Sequence, residues 1–138
     1  MAEAEKLIAA QIEYYRARAA EYDEWFCRTG RYDRGEAHRQ RWNAEVKNVR
    51  SALQETPPTG KVLELACGSG LWTERLITNC DKLVAVDASP EMLAIARHRV
   101  DDPKLSLVES DIFAWRPTER FEFIFFSFWL SHVPEPLY

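Results

Sequence analysis

The 138-residue sequence has few of the residues that mark disulfide-rich, metal-binding or membrane-spanning proteins. Its three cysteines, Cys27, Cys67 and Cys80, form an odd set without a C-x-x-C pair, which predicts neither a disulfide framework nor a metal site. No apolar run approaches the ~20 residues of a membrane span, and the first residues lack the basic-then-apolar pattern of a signal peptide. These absences favour a cytoplasmic chain with no membrane partner.

Positive charge is also scarce. The formal net charge is −4, and no run of lysine or arginine occurs, so nucleic acid is not expected as a partner. The composition is 46% hydrophobic and 29% charged, which is typical of a globular chain that can bury a core of ordinary size.

The first part of the sequence is predicted to be helical because its apolar residues recur at helical spacing. The stripe of the first helix consists of Ile8, Ile12, Tyr15, Ala19 and Tyr22. A second helix is predicted over residues 36–53, with the stripe Trp42, Val46, Val49 and Leu53. The Thr-Pro-Pro-Thr-Gly segment then breaks the chain, so residues 1–56 are predicted to form an N-terminal helical cap.

After Gly60 the pattern changes to short apolar strands that alternate with helices. Ser89 stands at a favourable N-cap position and Pro90 at the first position of a helix. The alternation predicts an α/β fold over residues 57–138, with a doubly wound and mainly parallel sheet of about four strands. Strands are predicted over 61–66, 83–87, 105–109 and 121–127, and helices over 71–78 and 90–100.

A glycine turn, Cys67-Gly68-Ser69-Gly70, follows the first predicted strand. A buried strand, a tight turn and a helix N-terminus let backbone N–H groups approach a nucleotide-like ligand closely. The dinucleotide fingerprint requires a third glycine at position 73, where this sequence has Thr73. The turn therefore disfavours an NAD-dependent oxidoreductase.

Acidic residues end the next two predicted strands. Asp87 is placed to accept hydrogen bonds from two ribose hydroxyls. Asp111 could accept a bond from an exocyclic amine such as adenine N6, while the Ile112 N–H meets a ring nitrogen. Either carboxylate could instead cap a turn or a helix.

In these segments the chain resembles the class I S-adenosylmethionine-dependent methyltransferases. The matching motifs are residues 62–70, 83–93 and 109–113, and the likeness covers roughly residues 58–134. The resemblance implies a Rossmann-like sheet, S-adenosylmethionine as cofactor and S-adenosylhomocysteine as product. It also implies in-line displacement of the methyl group by a small-molecule acceptor.

The resemblance further implies roles for individual residues. Glu64 would orient the glycine loop and the methionine amino group, Asp87 would hold the ribose, and Ala88 and Met92 would flank the adenine. Ala66 stands where many members carry glycine. The implied cofactor-binding residues are Tyr15, Tyr22, Glu64, Ala66, Gly68, Ser69, Gly70, Asp87, Ala88, Met92, Asp111, Ile112 and Phe128.

Two further roles leave alternatives open. Tyr15 or Tyr22 would place an aromatic face near the sulfonium, although core packing also accounts for Tyr15. His132, after the fourth strand, would be the catalytic general base for an O–H or N–H acceptor, whereas a structural or solvent-facing histidine is the alternative. Trp129 would shape the pocket or pack in the core.

The family's sheet usually has seven strands and this sequence supplies four, so the sequence predicts a truncated chain. The apolar segment 121–129 would then form an exposed edge strand, which predicts a homodimer through that edge. Two functions stay open: a small-molecule methyltransferase, and a non-catalytic or oligomerising S-adenosylmethionine-binding fragment of one.

Overall fold

A computed structural model describes residues 2–127 and 133, and its first third is helical. Helix α1 spans Ala2–Ala17, α2 spans Tyr22–Cys27 and α3 spans Glu36–Glu55, with single 3-10 turns at Ala19–Glu21 and Gly30–Tyr32. The predicted first stripe is therefore divided, because the chain turns at Arg18. Within the described residues, no helix is long and apolar enough to cross a bilayer.

The second part forms a parallel sheet flanked by helices. Its strands are β1 (Lys61–Leu65), β2 (Lys82–Asp87), β3 (Leu105–Glu109) and β4 (Phe123–Phe125), and they lie in the order β3-β2-β1-β4. All three pairings are parallel. The strand order reverses between β1 and β4, which is where open α/β sheets bind ligands. The predicted α/β class and doubly wound, Rossmann-like sheet are confirmed.

Helix α5 (Pro90–Arg99) begins as predicted. The Ser89 side chain accepts a hydrogen bond from the Met92 N–H at 3.2 Å, and Pro90 occupies the first turn. Helix α4 (Thr73–Leu76) is shorter than the predicted helix 71–78. Three-residue hydrogen bonds, such as Arg75 N to Trp72 O at 2.9 Å, occur there beside four-residue bonds such as Leu76 N to Trp72 O at 2.9 Å.

Two clusters of buried side chains hold these layers together. Val62, Leu76 and Leu83 are fully buried between the sheet and α4. Phe26 and Trp42, from the N-terminal helices, pack with Trp72 beside the glycine turn. The helices of residues 1–56 thus share a core with the sheet region, while the boundary at residue 56 stays a prediction.

The described part of the fourth strand is shorter than predicted. Strand β4 pairs with β1 over three residues, from Val62↔Phe123 to Glu64↔Phe125, and is the outermost strand on that side among the described residues. Ile124 is 58% exposed and Phe126 is 44% exposed. A homodimer through residues 121–129 stays a prediction.

Candidate functional site

A cleft opens at the carboxyl ends of the strands, beneath helices α1 and α2. Its cavity volume is about 120 Å³, and the cleft is partly open to solvent. Nine of the residues expected at a cofactor site line it. They are Tyr15, Tyr22, Ala66, Gly68, Asp87, Ala88, Met92, Asp111 and Ile112.

Asp87 lines this cleft and holds two backbone turns. Its Oδ2 accepts a hydrogen bond from the Gly68 N–H and its Oδ1 accepts one from the Ser89 N–H, both at 2.9 Å. Burial raises the pKa of the Asp87 carboxyl, and these backbone donors oppose that rise. A carboxylate has about four lone-pair sites, so this group can shape both turns and still accept bonds from ribose hydroxyls.

Asp111 caps the turn that follows β3. Its Oδ1 accepts a hydrogen bond from the Phe113 N–H at 3.0 Å, and its backbone carbonyl accepts one from the Trp115 N–H at 2.8 Å. The turn-cap role left open by the sequence is therefore present. The capped turn lies at the cleft, and both Asp111 and Ile112 line it.

The glycine turn lines the cleft and also contacts Tyr22 at the start of helix α2. Gly68 has φ +56°, and a Cβ there would lie 3.5 Å from Cζ of the Tyr22 ring. The ring of Tyr22 thus lies over the turn, at a distance where a Cβ on Gly68 would make an ordinary van der Waals contact. Burial raises the pKa of the Tyr22 phenol above its ordinary value. Ala66, which has φ +55°, adopts the left-handed conformation that favours glycine.

Three of the expected residues lie behind the cleft wall within the described chain: Glu64, Ser69 and Gly70. Glu64 is buried in β1, and its Oε2 accepts a hydrogen bond from Thr73 Oγ1 at 2.6 Å. Burial raises the pKa of Glu64 to about 8, against the opposing effect of that bond. Glu64 is therefore largely protonated at neutral pH and ties β1 to the start of α4.

The raised pKa of Glu64 predicts a pH-dependent stability. The pKa of Glu64 is about 8 in the folded chain, against the usual value of 4.5, so the folded chain holds this proton more tightly than the unfolded chain does. Its contribution to the free energy of unfolding is therefore fully present below pH 4.5 and is lost as the pH rises through 8. We expect its contribution to the free energy of unfolding to fall by about 1.4 kcal/mol between pH 6 and 7. Urea unfolding at both pH values, on the wild type and Glu64→Gln, measures the difference. Equal pH slopes for the two proteins would contradict this expectation.

Helix α1 forms the roof of the cleft. Its apolar residues Ile8, Ile12 and Tyr15 line the cavity, so the stripe read from the sequence faces the site. Burial is the main cause that raises the pKa of Tyr15. Outside the cleft, α1 is linked to α5 by an ion pair in which Arg16 Nε lies 3.1 Å from Glu91 Oε2.

Seven lining residues were not expected at the cofactor site: Ile8, Gln11, Ile12, Trp25, Ser89, Phe113 and Ser127. Ile8 and Ile12 belong to the apolar stripe of the first predicted helix. No local sequence pattern marks Trp25 as a site residue, because only the packing of helix α2 places it at the cleft. Ser127 follows β4, and its position after a strand was the available signal.

Three other expectations fall outside the described residues. Phe128 was expected at the cofactor site, Trp129 at the pocket, and His132 as the general base. Their roles stay predictions.

The family profile described as "Methyltransferase domain" matches residues 62–138. The chain belongs to this methyltransferase family. The match spans more than half of the sequence and begins at β1, the strand that leads into the glycine turn. The family expected from the motifs is thereby confirmed.

Curated relatives align with part of the chain. Nodulation protein S of Rhizobium tropici is 34% identical over 68 residues, which are 49% of this chain and 29% of that protein. Trans-aconitate 2-methyltransferase of Acidovorax ebreus is 33% identical over 96 residues, covering 68% of this chain and 35% of that protein. This methyltransferase chain thus spans about a third of the length of these relatives.

Solved structures show the same fold over most of the chain. The DhpI–SAH complex superposes with a TM-score of 0.78 at 36% identity, covering 94% of this chain and 57% of that one. The N-methyltransferase NodS of Bradyrhizobium japonicum, solved with S-adenosyl-l-homocysteine, has a TM-score of 0.61 at 24% identity. It covers 82% of this chain and 54% of that one, and it shows the fold alone.

Proposed function

We propose that this methyltransferase chain binds S-adenosylmethionine in the cleft and transfers its methyl group to a small-molecule acceptor. One observation carries the proposal: Asp87 at the end of β2 and Asp111 just after the neighbouring β3 line one cleft together with the turn at Gly68. The solved DhpI complexes with SAH and with SAM support this choice of cofactor, because they superpose over 94% of the chain.

The residues of the cleft fit the parts of this cofactor. Asp87 offers carboxylate lone pairs to the ribose hydroxyls, and Asp111 with the Ile112 N–H offers an acceptor and a donor to the adenine edge. Met92, which is 2% exposed, and Ala88 supply apolar surface for the flat adenine ring. The faces of Tyr22 and Trp25 suit a positively charged sulfonium.

When bound, the cofactor would supply an electrophilic methyl group. The chain itself would align the acceptor with the methyl group and exclude water. In favourable cases this lowers the activation barrier by on the order of 7–11 kcal/mol. A strong protein nucleophile is therefore unnecessary. An O–H or N–H acceptor must lose a proton, and we retain His132 as the proposed base.

The lining supports a small acceptor. Ile8, Ile12 and Phe113 give apolar surface, while Gln11 and Ser127 give polar groups that can orient a ligand. Trans-aconitate 2-methyltransferase and the ubiquinone biosynthesis O-methyltransferase of Xanthomonas campestris, both similar to this chain, are named for small-molecule chemistry. The net charge of −4 disfavours a nucleic acid acceptor.

Calorimetric titration of the 138-residue chain with S-adenosylhomocysteine tests the binding step, with NAD as a control ligand. We expect one saturable site for the first ligand and none for NAD, because the third glycine is missing. At about 100 times the Kd, the bound ligand should add about 2.7 kcal/mol to the free energy of unfolding. A folded chain that does not bind S-adenosylhomocysteine would overturn the proposal.

Methyl transfer is tested by following S-adenosylhomocysteine release with a panel of small carboxylic acids, phenols and amines. Release that depends on one acceptor class would support the enzyme. Binding without release across the panel would favour the alternative function, a non-catalytic S-adenosylmethionine-binding fragment. Exposed Ile124 in β4 and exposed Phe126 just after it are the feature that favours this alternative in its oligomerising form.

A further inference from the structure

Three polar side chains from separate segments meet beside the glycine turn. Ser69 Oγ donates a hydrogen bond to Asp23 Oδ1 at 2.8 Å. Arg99 Nη1 donates to the Ser69 carbonyl at 2.7 Å and to Ser69 Oγ at 3.0 Å. The second guanidinium nitrogen of Arg99 forms an ion pair with Asp23 Oδ2. We call these three residues the Asp23–Ser69–Arg99 network.

The network is partly buried. Ser69 is fully buried and the Arg99 side chain is 19% exposed, while the Asp23 side chain is 42% exposed. Exposed ion pairs contribute little because water and salt screen them. Here the guanidinium also binds the carbonyl and the hydroxyl of the buried Ser69, so its position is fixed by three bonds, one of them to the charged Asp23.

Asp23 lies between two aromatic residues of the cleft. Tyr22 precedes it and lies over Gly68, while Trp25 follows two positions later in α2 and lines the cavity. The rings of Tyr22 and Trp25 pack against each other with centroids 5.5 Å apart. Anchoring Asp23 therefore determines where both rings lie relative to the glycine turn.

The glycine turn is held from both sides. Asp87 binds the Gly68 N–H, while Arg99 binds the carbonyl of Ser69. The N–H of the same 69–70 peptide, on Gly70, donates to the Cys67 carbonyl at 3.2 Å. The orientation of this peptide is thus determined by Arg99 at its carbonyl and by the turn at its N–H.

We propose that Asp23 and Arg99 are positioning residues that join helix α2 to the glycine turn through Ser69. Cofactor binding is thereby coupled to the packing of the N-terminal helices against this turn. This inference rests on the proposed function, because it assigns these residues to the same cleft. Neither Asp23 nor Arg99 lines the cleft, so they act through the backbone of residues 68–70 and through Tyr22 and Trp25.

The test compares wild type with Asp23→Asn, Ser69→Ala and Arg99→Ala. Arg97→Ala is the matched control, because Arg97 lies on the same helix and is exposed. S-adenosylhomocysteine affinity is measured by calorimetry, and amide hydrogen exchange of residues 2–27 is followed with and without this ligand. The two partial variants, Asp23→Asn and Ser69→Ala, keep the test decisive if Arg99→Ala does not fold.

In the wild type and in Arg97→Ala, we expect the ligand to slow amide exchange in α1 and α2. In Asp23→Asn and Arg99→Ala, we expect the Kd to rise about tenfold, as for loss of a charge-assisted hydrogen bond. The ligand-induced protection of residues 2–27 should then be largely lost. The Asp23→Asn/Arg99→Ala double variant should bind about as weakly as the weaker single variant, because both changes disrupt the same network.

A purely structural role would give a different result. The variants would unfold at lower temperature but would bind with wild-type Kd and retain the protection of α1 and α2, which would overturn the inference. Ligand binding by the wild type without protection of residues 2–27 would overturn it as well. Failure of the wild type itself to bind would reject the proposed function, and the inference with it.

Discussion

Replacing Asp87 by alanine is expected to weaken S-adenosylhomocysteine binding by about 100-fold or more. Two hydrogen bonds from ribose hydroxyls to a charged acceptor would be lost, and each contributes roughly 1.5–3 kcal/mol. The same carboxylate also holds the Gly68 and Ser89 N–H groups, so the turn that approaches the ligand would lose a constraint as well. Calorimetric titration measures the change directly.

Two control variants separate these contributions. Asp87→Asn keeps the shape of the side chain and one acceptor oxygen, so it should bind between the wild type and the alanine variant. Asp101→Ala removes an exposed carboxylate next to α5, away from the cleft, and should leave the Kd unchanged. Binding by Asp87→Ala within about threefold of the wild type would mean that the ribose is held elsewhere.

Gly70→Ala is expected to lower the free energy of unfolding by about 3 kcal/mol. Gly70 has φ +87°, and a Cβ there would lie 3.1 Å from both Cα and Cβ of Ala96 in helix α5. The Cα of Ala96 is a backbone atom, so this close contact can be relieved only if the helix or the turn moves. Rotation of a side chain would not relieve it. Chemical denaturation gives the value, and S-adenosylhomocysteine titration reports whether the turn still binds.

Gly35→Ala is the matched control for this substitution. Gly35 has φ +92°, but a Cβ there would meet no atom within 4 Å. Gly35→Ala should therefore lower the free energy of unfolding only by the cost of placing alanine in the left-handed conformation, on the order of 1–2 kcal/mol. If both variants lost the same stability, the close approach of the turn to α5 would not matter.

The strands and the N-cap of α5 were predictable because they depend on neighbours in sequence. A Ser-Pro pair before an apolar helix is a local signal, and Ser89 indeed caps α5. Asp87 and Asp111 were also predictable, since the carboxyl ends of parallel strands share one edge of a sheet. The short α4 was not, because its length follows from how tightly the chain turns after packing the glycine loop on α5.

The α/β class and the acids that face the cleft could be read from the sequence, because hydrophobic period and strand-end chemistry are local properties. The family followed from the resemblance of three motifs. Only the tertiary structure placed Ile8 and Ile12 at the cleft, since an apolar stripe is the same in sequence whether it meets a core or a ligand. Only the tertiary structure joined Asp23 to Arg99, which lie 76 positions apart. No local pattern encodes such a pair, because it depends on how helix α2 packs against the end of helix α5.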